Sequence, residues 1–253
     1  MNILIANDDG YDAKGIRTLA RRLAVEHDVV IVAPDGERSG YSHFVHFYGG
    51  ITYRKVFMPD GITTYAVDGA PADCVIFAVK YLFKEKKFDV VLSGINAGLN
   101  IGSDIIYSGT CGAAQEGTFH RIPSIAVSLR TRGTSDYDFA ADFVAENLEK
   151  LMSFATENVT VNVNFPYPNR EQIAGVKVAP ISFRPYNENY FSKVDENGIE
   201  HFYIEGHSKK DHPREDYGDW ALCDNGYITV SPIKLFATDE EALRAMQGAE
   251  FKL

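Results

Sequence analysis

Two adjacent aspartates near the start of the chain carry the clearest potential for chemistry. Asp8 and Asp9 stand in the turn Asn7-Asp8-Asp9-Gly10, directly after the short apolar run Asn2–Ala6. Neighbouring carboxylates repel each other unless a positive charge lies between them, and a hard divalent cation with oxygen ligands supplies that charge. A solvated Asp-Gly turn, or a pair of aspartates that cap the following helix, is the structural alternative.

Further polar residues follow other apolar runs of the chain. Ser39 and Asn96 each come shortly after such a run, and Ser108, Gly109 and Thr110 open a predicted helix. Hydroxyl and amide oxygens can bind a cation, while small residues at the start of a helix let backbone N–H groups point at an anion. Each segment alone is typical of an ordinary loop or helix cap.

The elements that must position these residues alternate between strand and helix. This alternation predicts an α/β fold with a mostly parallel sheet in the middle of three layers. Ligands of such sheets bind at the carboxyl ends of the strands, so the polar segments should meet at one edge, as a phosphoryl-transfer site requires. The predicted strands are Asn2–Ala6, Asp28–Ala33, Phe88–Leu92, Ser124–Ser128 and Val159–Val163, and the predicted helices are Gly15–Glu26, Pro71–Phe83, Thr110–His120 and Tyr137–Ala155.

Two regions depart from this alternation. Phe44–Phe47, Thr52–Phe57 and Thr63–Val67 are β-branched or aromatic runs that predict a β-excursion from the main sheet, and a loop is expected from Ser93 to Gly109. We place the α/β catalytic core at residues 1–183. Residues 184–253 form a C-terminal extension, with strands predicted at Glu200–Glu205 and Gly226–Val230 and a final helix at Asp239–Gln247 capped by Thr238.

Composition narrows the function further. The net charge of −10 argues against a nucleic-acid polymer as partner, because phosphate contacts need a basic surface. The first residues lack the pattern of a signal peptide, and no apolar run approaches the roughly 20 residues that span a bilayer. With three widely spaced cysteines, the chain is expected to be cytoplasmic, without a disulfide framework and without a membrane partner.

Several segments resemble, in order, the motifs of the SurE (survival protein E) family of nucleotidases. The match covers most of the chain and is weakest in the middle of the C-terminal extension. The segments are ILIANDDGYDAKGI (Ile3–Ile16), the run Ala33–Ser42, VDGAPADCV (Val67–Val75), LSGINAGLNIGSDIIYSGTCGAAQEG (Leu92–Gly117) and GYITVSPI (Gly226–Ile233).

The resemblance implies a Rossmann-like α/β core. It also implies hydrolysis of nucleoside monophosphates to nucleoside and phosphate by a 5'-nucleotidase, with some family members acting on 3'-nucleotides or short polyphosphate. It implies one Mg²⁺ or Mn²⁺ ion per subunit, bound by the positions of Asp8, Asp9, Ser39 and Asn96. It also implies a homodimer or homotetramer in which C-terminal arms, here Arg184–Glu250, exchange between subunits.

The expected mechanism uses the same edge of the sheet. Asp8 or Asp9 would act as general base toward a metal-activated water, and an aspartyl-phosphate route stays open. Asn96, together with Ser108, Gly109 and Thr110, would bind the phosphate oxygens with help from the helix N-terminus. His43 is a candidate general acid, although a loop histidine without a catalytic role is the simpler interpretation, and His46 replaces a threonine of the family pattern. Tyr107 and Tyr186–Phe191 could stack a base.

Other functions fit the sequence less well. A phospho-signalling receiver needs an aspartate and a lysine where this chain has Ser93-Gly94 and Arg130, and it is about half as long. A dinucleotide-binding oxidoreductase needs a glycine-rich first turn, and an aspartate-nucleophile phosphatase needs Asp-x-Asp spacing. A binding protein that uses the same site without turnover remains open, as do the base preference and the native metal.

Overall fold

Alternating strands and helices build one large sheet, in a computed structural model that describes residues 1–131, 133, 136–208, 216–247 and 249. The strands are β1 (Asn2–Ala6), β2 (Asp28–Pro34), β3 (Thr52–Val56), β4 (Thr63–Asp68), β5 (Val90–Ala97), β6 (Ser124–Leu129), β7 (Val159–Phe165), β8 (Gly175–Val178), β9 (Tyr186–Val194), β10 (Glu200–Ser208) and β11 (Tyr227–Lys234). The α-helices are α1 (Lys14–Leu23), α2 (Pro71–Phe77), α3 (Gly109–Phe119), α4 (Asp138–Glu146), α5 (Leu148–Phe154), α6 (Asp219–Asp224) and α7 (Glu240–Met246).

The sheet has nine strands in the order β3-β4-β2-β1-β5-β6-β7-β11-β8. The six strands from β4 to β7 run parallel, β3 is antiparallel to β4, and β11 is antiparallel to β7 and parallel to β8. This arrangement confirms the predicted α/β class with a mostly parallel sheet.

Strand β1 contributes side chains to two hydrophobic cores, one on each face of the sheet. Its side chains alternate between faces, so Ile3 and Ile5 join the cluster packed under α1, α4 and α5, while Leu4 and Ala6 join the cluster under α2 and α3. All four of these residues are inaccessible to solvent. The sheet is therefore covered on both faces, which confirms the predicted three layers.

Four local predictions were wrong. Residues 44–47 form no strand, because the His46 N–H donates to the Asp73 carboxylate (3.0 Å) instead of to a neighbouring strand. The predicted loop after Ser93 begins as strand, since β5 continues to Ala97 with a bulge between Ser93 and Asn96. The long predicted helix divides at Asn147, whose side chain donates to Phe143 O, and α7 is capped by the Asp239 carboxylate, not by Thr238.

The C-terminal region contributes two different structures. Strands β9 and β10 form a separate antiparallel hairpin, paired from Tyr186↔Ser208 to Val194↔Glu200. Strand β11 returns to the main sheet and lies between β7 and β8. The hairpin is thus separate from the main sheet, whereas β11 belongs to it. The division of the chain at residue 184 stays a prediction.

Candidate functional site

Asp8 is held rigidly at the carboxyl end of β1. Its side chain is buried, with 4% of its surface exposed, and it accepts a hydrogen bond from the Thr110 hydroxyl at the start of α3. Gly109 packs directly on it, because a Cβ there would lie 2.9 Å from the Cβ of Asp8. Burial raises the pKa of Asp8, and the hydrogen bond from Thr110 only partly opposes that rise.

Asp9 is half-buried beside it and accepts a hydrogen bond from the Ala97 N–H (3.2 Å). Burial, followed by the negative charge of Asp8, raises the pKa of Asp9 to about 6. No lysine, arginine or histidine of the described residues forms an ion pair with either aspartate. Two carboxylates kept close without a counter-charge fit a divalent cation well.

Ser39 and Asn96 line the same cleft as the two aspartates. The loop that carries Ser39 is tied to the site by the Arg38 N–H, which donates to Asp8 O (2.7 Å). The Ser39 hydroxyl donates to Glu37 Oε1 (3.0 Å), and the Asn96 amide donates to Gly98 O (3.0 Å). Carboxylate, hydroxyl and amide oxygens are the ligand types that suit Mg²⁺ and Mn²⁺. The four-residue ligand set therefore stays a prediction, compatible with this geometry.

The predicted phosphate-binding residues divide into two groups. Ser108 and Asn96 line the cleft, and Ser108 also caps α3 by accepting the Cys111 N–H (3.0 Å). Gly109 and Thr110 instead contact Asp8, with the Thr110 hydroxyl already engaged by the carboxylate. Positioning of Asp8 is thus the role the geometry supports for the Thr110 side chain, and phosphate contact stays a prediction for all four residues.

The cleft at this edge of the sheet has a volume of about 790 Å³. Besides the predicted residues, it is lined by acidic and aromatic side chains from three separate parts of the chain. Sequence reasoning singled out Tyr107 and the stretch from Tyr186, but it missed the remaining side chains. The missed side chains are Glu37, Ala97, Asn100, Asp104 and Ile204, and Glu188 was included only as part of an aromatic stretch.

Asp104 anchors the hairpin to the cleft. It forms an ion pair with Arg184 and accepts a hydrogen bond from the Tyr186 hydroxyl (2.6 Å). The Arg184 guanidinium also lies 5.2 Å from the ring centre of Tyr186, and the Arg184 N–H donates to Ser103 Oγ (3.0 Å). Burial, with the hydrogen bond to Asp104, raises the pKa of Tyr186. Because about eighty residues separate the partners, no local pattern could have predicted this contact.

Buried Asp219 also links the turn that carries Asp104 to the segment before β9. One of its carboxylate oxygens accepts the Gly102 N–H (2.8 Å), and the other accepts the N–H groups of Ser182 (2.9 Å) and Trp220 (2.8 Å). The turn that carries Asp104 and the segment that leads into β9 are thereby joined through one side chain.

The two histidines of the loop after Ser39 bind carboxylates other than those of Asp8 and Asp9. His43 Nε2 lies 2.7 Å from Glu116 Oε2 on α3, and His46 Nδ1 lies 2.5 Å from Asp73 Oδ2 on α2. Burial alone would raise the pKa of Glu116, but hydrogen bonds from His120 and His43 lower it to about 2. Since His43 is not among the cleft-lining residues, the simpler interpretation of a loop histidine fits its position better than that of general acid.

Two features are absent from the described part of the chain. No group of three or more His, Cys, Asp or Glu side chains is arranged to hold a metal, so the candidate site depends on its mixed oxygen set. No helix there is long and apolar enough to cross a membrane.

Comparison with known proteins gives the family. The sequence profile described as Survival protein SurE matches residues 3–188. The chain belongs to the SurE family. A 5'-nucleotidase SurE of Clostridium botulinum (strain ATCC 19397 / Type A) is 39% identical over 236 residues, which cover 92% of each chain. A 5'-nucleotidase SurE of Fervidobacterium nodosum is 37% identical, over 98% of this chain and 96% of its own.

The fold agrees with a solved member of this family. The crystal structure of a SurE protein from Aquifex aeolicus superposes with a TM-score of 0.82 at 36% sequence identity, covering 98% of both chains. The resemblance stated from the motifs is therefore confirmed, as is the α/β fold with its large, mostly parallel sheet.

Proposed function

We propose that this chain is a divalent-metal-dependent 5'-nucleotidase that hydrolyses nucleoside monophosphates to nucleoside and phosphate. The relatives named 5'-nucleotidase confirm the predicted enzyme class, a hydrolase of phosphoric monoesters. The observation that carries the proposal for this chain is the pair of adjacent aspartates, one buried and one half-buried, that have no cationic partner among the described residues and lie at the carboxyl edge of the sheet, next to the N-terminus of α3.

Asp8, Asp9, Ser39 and Asn96 are the residues that would hold the cation. When bound, such an ion supplies a positive charge for the phosphoryl oxygens and lowers the pKa of a bound water. Asp8 is kept at one position by Thr110 and Gly109, so it is suited to orient the reacting groups. Asp9, more exposed, is better placed to accept a proton from the attacking water.

Binding of the phosphate is assigned to the adjoining helix start. Ser108 lines the cleft beside Asn96, and the N-terminus of α3 carries a partial positive charge directed toward the Asp8 edge. Backbone N–H groups of residues Gly109 and Thr110 would add to that attraction. These contacts would hold the oxygens that do not react.

Finer features remain part of the proposal. Mg²⁺ and Mn²⁺ both suit the oxygen set, and activity on 3'-nucleotides or short polyphosphate is an extension suggested by the family resemblance. A homodimer or homotetramer joined through the C-terminal arm, and a cytoplasmic location, are likewise inferred from that resemblance and from the sequence.

The test is phosphate release from a panel of nucleoside monophosphates, ribose 5-phosphate and short polyphosphate, with and without Mg²⁺ or Mn²⁺. Asp8→Asn is compared with Asp142→Asn, a control at a solvent-exposed ion pair with Arg22 on the far helical layer. Metal-dependent release that Asp8→Asn abolishes and Asp142→Asn preserves supports the proposal. A folded protein that releases no phosphate from any compound with either metal overturns it.

A further inference from the structure

The cleft combines two chemically different surfaces. Its floor carries the carboxylates and amides at the ends of β1 and β5, whereas its outer wall is formed by the hairpin. On that wall Tyr190 and Ile204 leave 71% and 58% of their surfaces exposed, although both border a polar site. Apolar surface left open beside a charged floor fits a ligand with one ionic and one apolar end.

The hairpin presents this wall through strand alternation. Tyr186, Glu188 and Tyr190 occupy alternate positions of β9, and all three line the cleft. Ile204 pairs directly with Tyr190 across the ladder, so it faces the same way. The opposite face carries a different pair, since Phe191 and Tyr203 stack on each other with ring centres 5.4 Å apart.

The wall is fixed at its root and faces a second aromatic side chain. Its first residue, Tyr186, is bound to Asp104, as described above, so the start of β9 is attached to the cleft floor. Tyr107 lines the cleft from the turn before α3, next to the predicted phosphate-binding Ser108, and is 62% exposed. An aromatic surface thus stands both close to the phosphate end and along the outer wall.

We propose that the hairpin wall of Tyr190, Ile204 and Glu188, with Tyr107, binds the nucleoside of the substrate and makes the enzyme select nucleotides over smaller phosphate esters. This inference rests on the proposed function and adds the residues that recognise the leaving group. Tyrosine rings stack on any nucleobase, and the Glu188 carboxylate can accept hydrogen bonds from ribose hydroxyls.

The charge of the lining fits a substrate whose far end is uncharged. Among the residues that the structure describes, the cleft is lined by five carboxylates and by no lysine or arginine. Those five are Asp8, Asp9, Glu37, Asp104 and Glu188. This negative charge favours a substrate whose end away from the phosphate is a neutral nucleoside.

The test compares a nucleoside monophosphate with ribose 5-phosphate, which keeps the reacting phosphate and the sugar but lacks the base. Tyr190→Ala is expected to lower kcat/KM for the nucleotide about 5- to 100-fold, the range that loss of one stacking ring produces. It should change kcat/KM for ribose 5-phosphate by less than about threefold. Ile204→Ala should give a smaller loss with the same selectivity.

Tyr203→Ala is the matched control, because Tyr203 belongs to the same hairpin but lies on its opposite face. It should leave both substrates unaffected. If Tyr190→Ala lowers both substrates equally, or neither, the inference is wrong although the phosphatase proposal stands.

A binding measurement separates the two proposals. Calorimetric titration of the Mg²⁺-loaded protein with a nucleoside monophosphate should show an affinity that Tyr190→Ala weakens by a similar factor. Selective weakening without any phosphate release would overturn the proposed function and keep the nucleoside wall. Binding that is the same in the wild type and the variant would overturn the wall.

Discussion

The floor and the outer wall of the cleft are built in opposite ways. Asp8 on the floor is buried, hydrogen-bonded by Thr110 and packed against Gly109, so it has little freedom to move. Tyr190 is mostly exposed and lies on a two-stranded hairpin that is attached to the floor through Tyr186. Reacting groups need fixed positions, whereas a surface that stacks on different bases tolerates looser packing. Substitutions should therefore separate turnover from substrate choice.

The largest effect is expected from Asp8→Asn on the floor. The variant keeps the shape of the side chain but removes the charge that the cation requires, so metal-dependent phosphate release should fall about 10²- to 10³-fold for every substrate. Initial rates with nucleotide and ribose 5-phosphate at saturating metal measure this. A loss confined to nucleotides would contradict the assignment of Asp8 to the reacting end.

Gly109→Ala compared with Gly206→Ala tests the difference in rigidity directly. A Cβ at Gly109 would lie 2.9 Å from the Cβ of Asp8 and 3.0 Å from Pro71 Cγ, whereas at Gly206 the nearest atom is 3.6 Å away. Overpacking should cost Gly109→Ala about 1–3 kcal/mol of stability, and displacement of Asp8 should lower the rate about 10- to 100-fold. Gly206→Ala should match the wild type in thermal unfolding and in rate. If the two variants lose stability and rate equally, the floor is not more rigid than the hairpin.

Asp219→Ala should loosen the connection between the two regions. Three backbone N–H groups lose their buried acceptor, so the free energy of unfolding should fall by about 3 kcal/mol. Because these bonds join the Asp104 turn to the segment before β9, KM for nucleotides should rise more than KM for ribose 5-phosphate. Asp219→Asn keeps one acceptor oxygen and should give an intermediate loss in urea unfolding. A proportional rise of KM for both substrates would argue against the connection.

The smallest effect concerns the charge of Asp9. Its pKa is raised to about 6 in the folded protein, above the ordinary value of 3.8, so the folded state binds a proton more tightly than the unfolded state. The metal-free protein should therefore lose stability as the pH rises from about 4 to 6 and change little above that. Asp9→Asn should remove this slope and stabilise the metal-free protein at pH 7 by about 1 kcal/mol, after allowance for solvent screening.

Thermal unfolding across pH, with and without Mg²⁺, checks this prediction. The wild type should gain stability from the metal, and Asp9→Asn should gain much less. If Asp9→Asn destabilises the metal-free protein at pH 7, the two aspartates do not repel each other as proposed.

Much of the floor could be predicted from the sequence because its residues follow apolar runs. Asp8, Ser39 and Asn96 come after apolar runs that pair in a parallel sheet, and the chemistry of the site follows from that placement. The outer wall could not be predicted in this way. Asp104 meets Tyr186 only through the fold, and Ile204 joins the cleft through its cross-strand partner.

The wrong local predictions have the same origin. The run Phe44–Phe47 has the aromatic and β-branched composition of a strand. His46 within it and His43 just before it bind carboxylates on α2 and α3, and these contacts replace a strand ladder. The long helix was predicted from composition alone, which did not reveal that the Asn147 side chain would bind Phe143 O and end the first half. In both places a specific side-chain contact overrode the local propensity.

The position of β11 also fixes an order of events in the growing chain. Strands β1, β2, β4 and β5, which carry the aspartate edge, all come from the first 97 residues and can pair early as the chain is synthesised. Edge strand β8 has β11 as its sheet neighbour. It can therefore join the sheet only after the hairpin and residues 227–234 have been synthesised. A nascent chain arrested before β11 would therefore lack two strands of the sheet, and would expose β7 as an unpaired edge open to association with other chains.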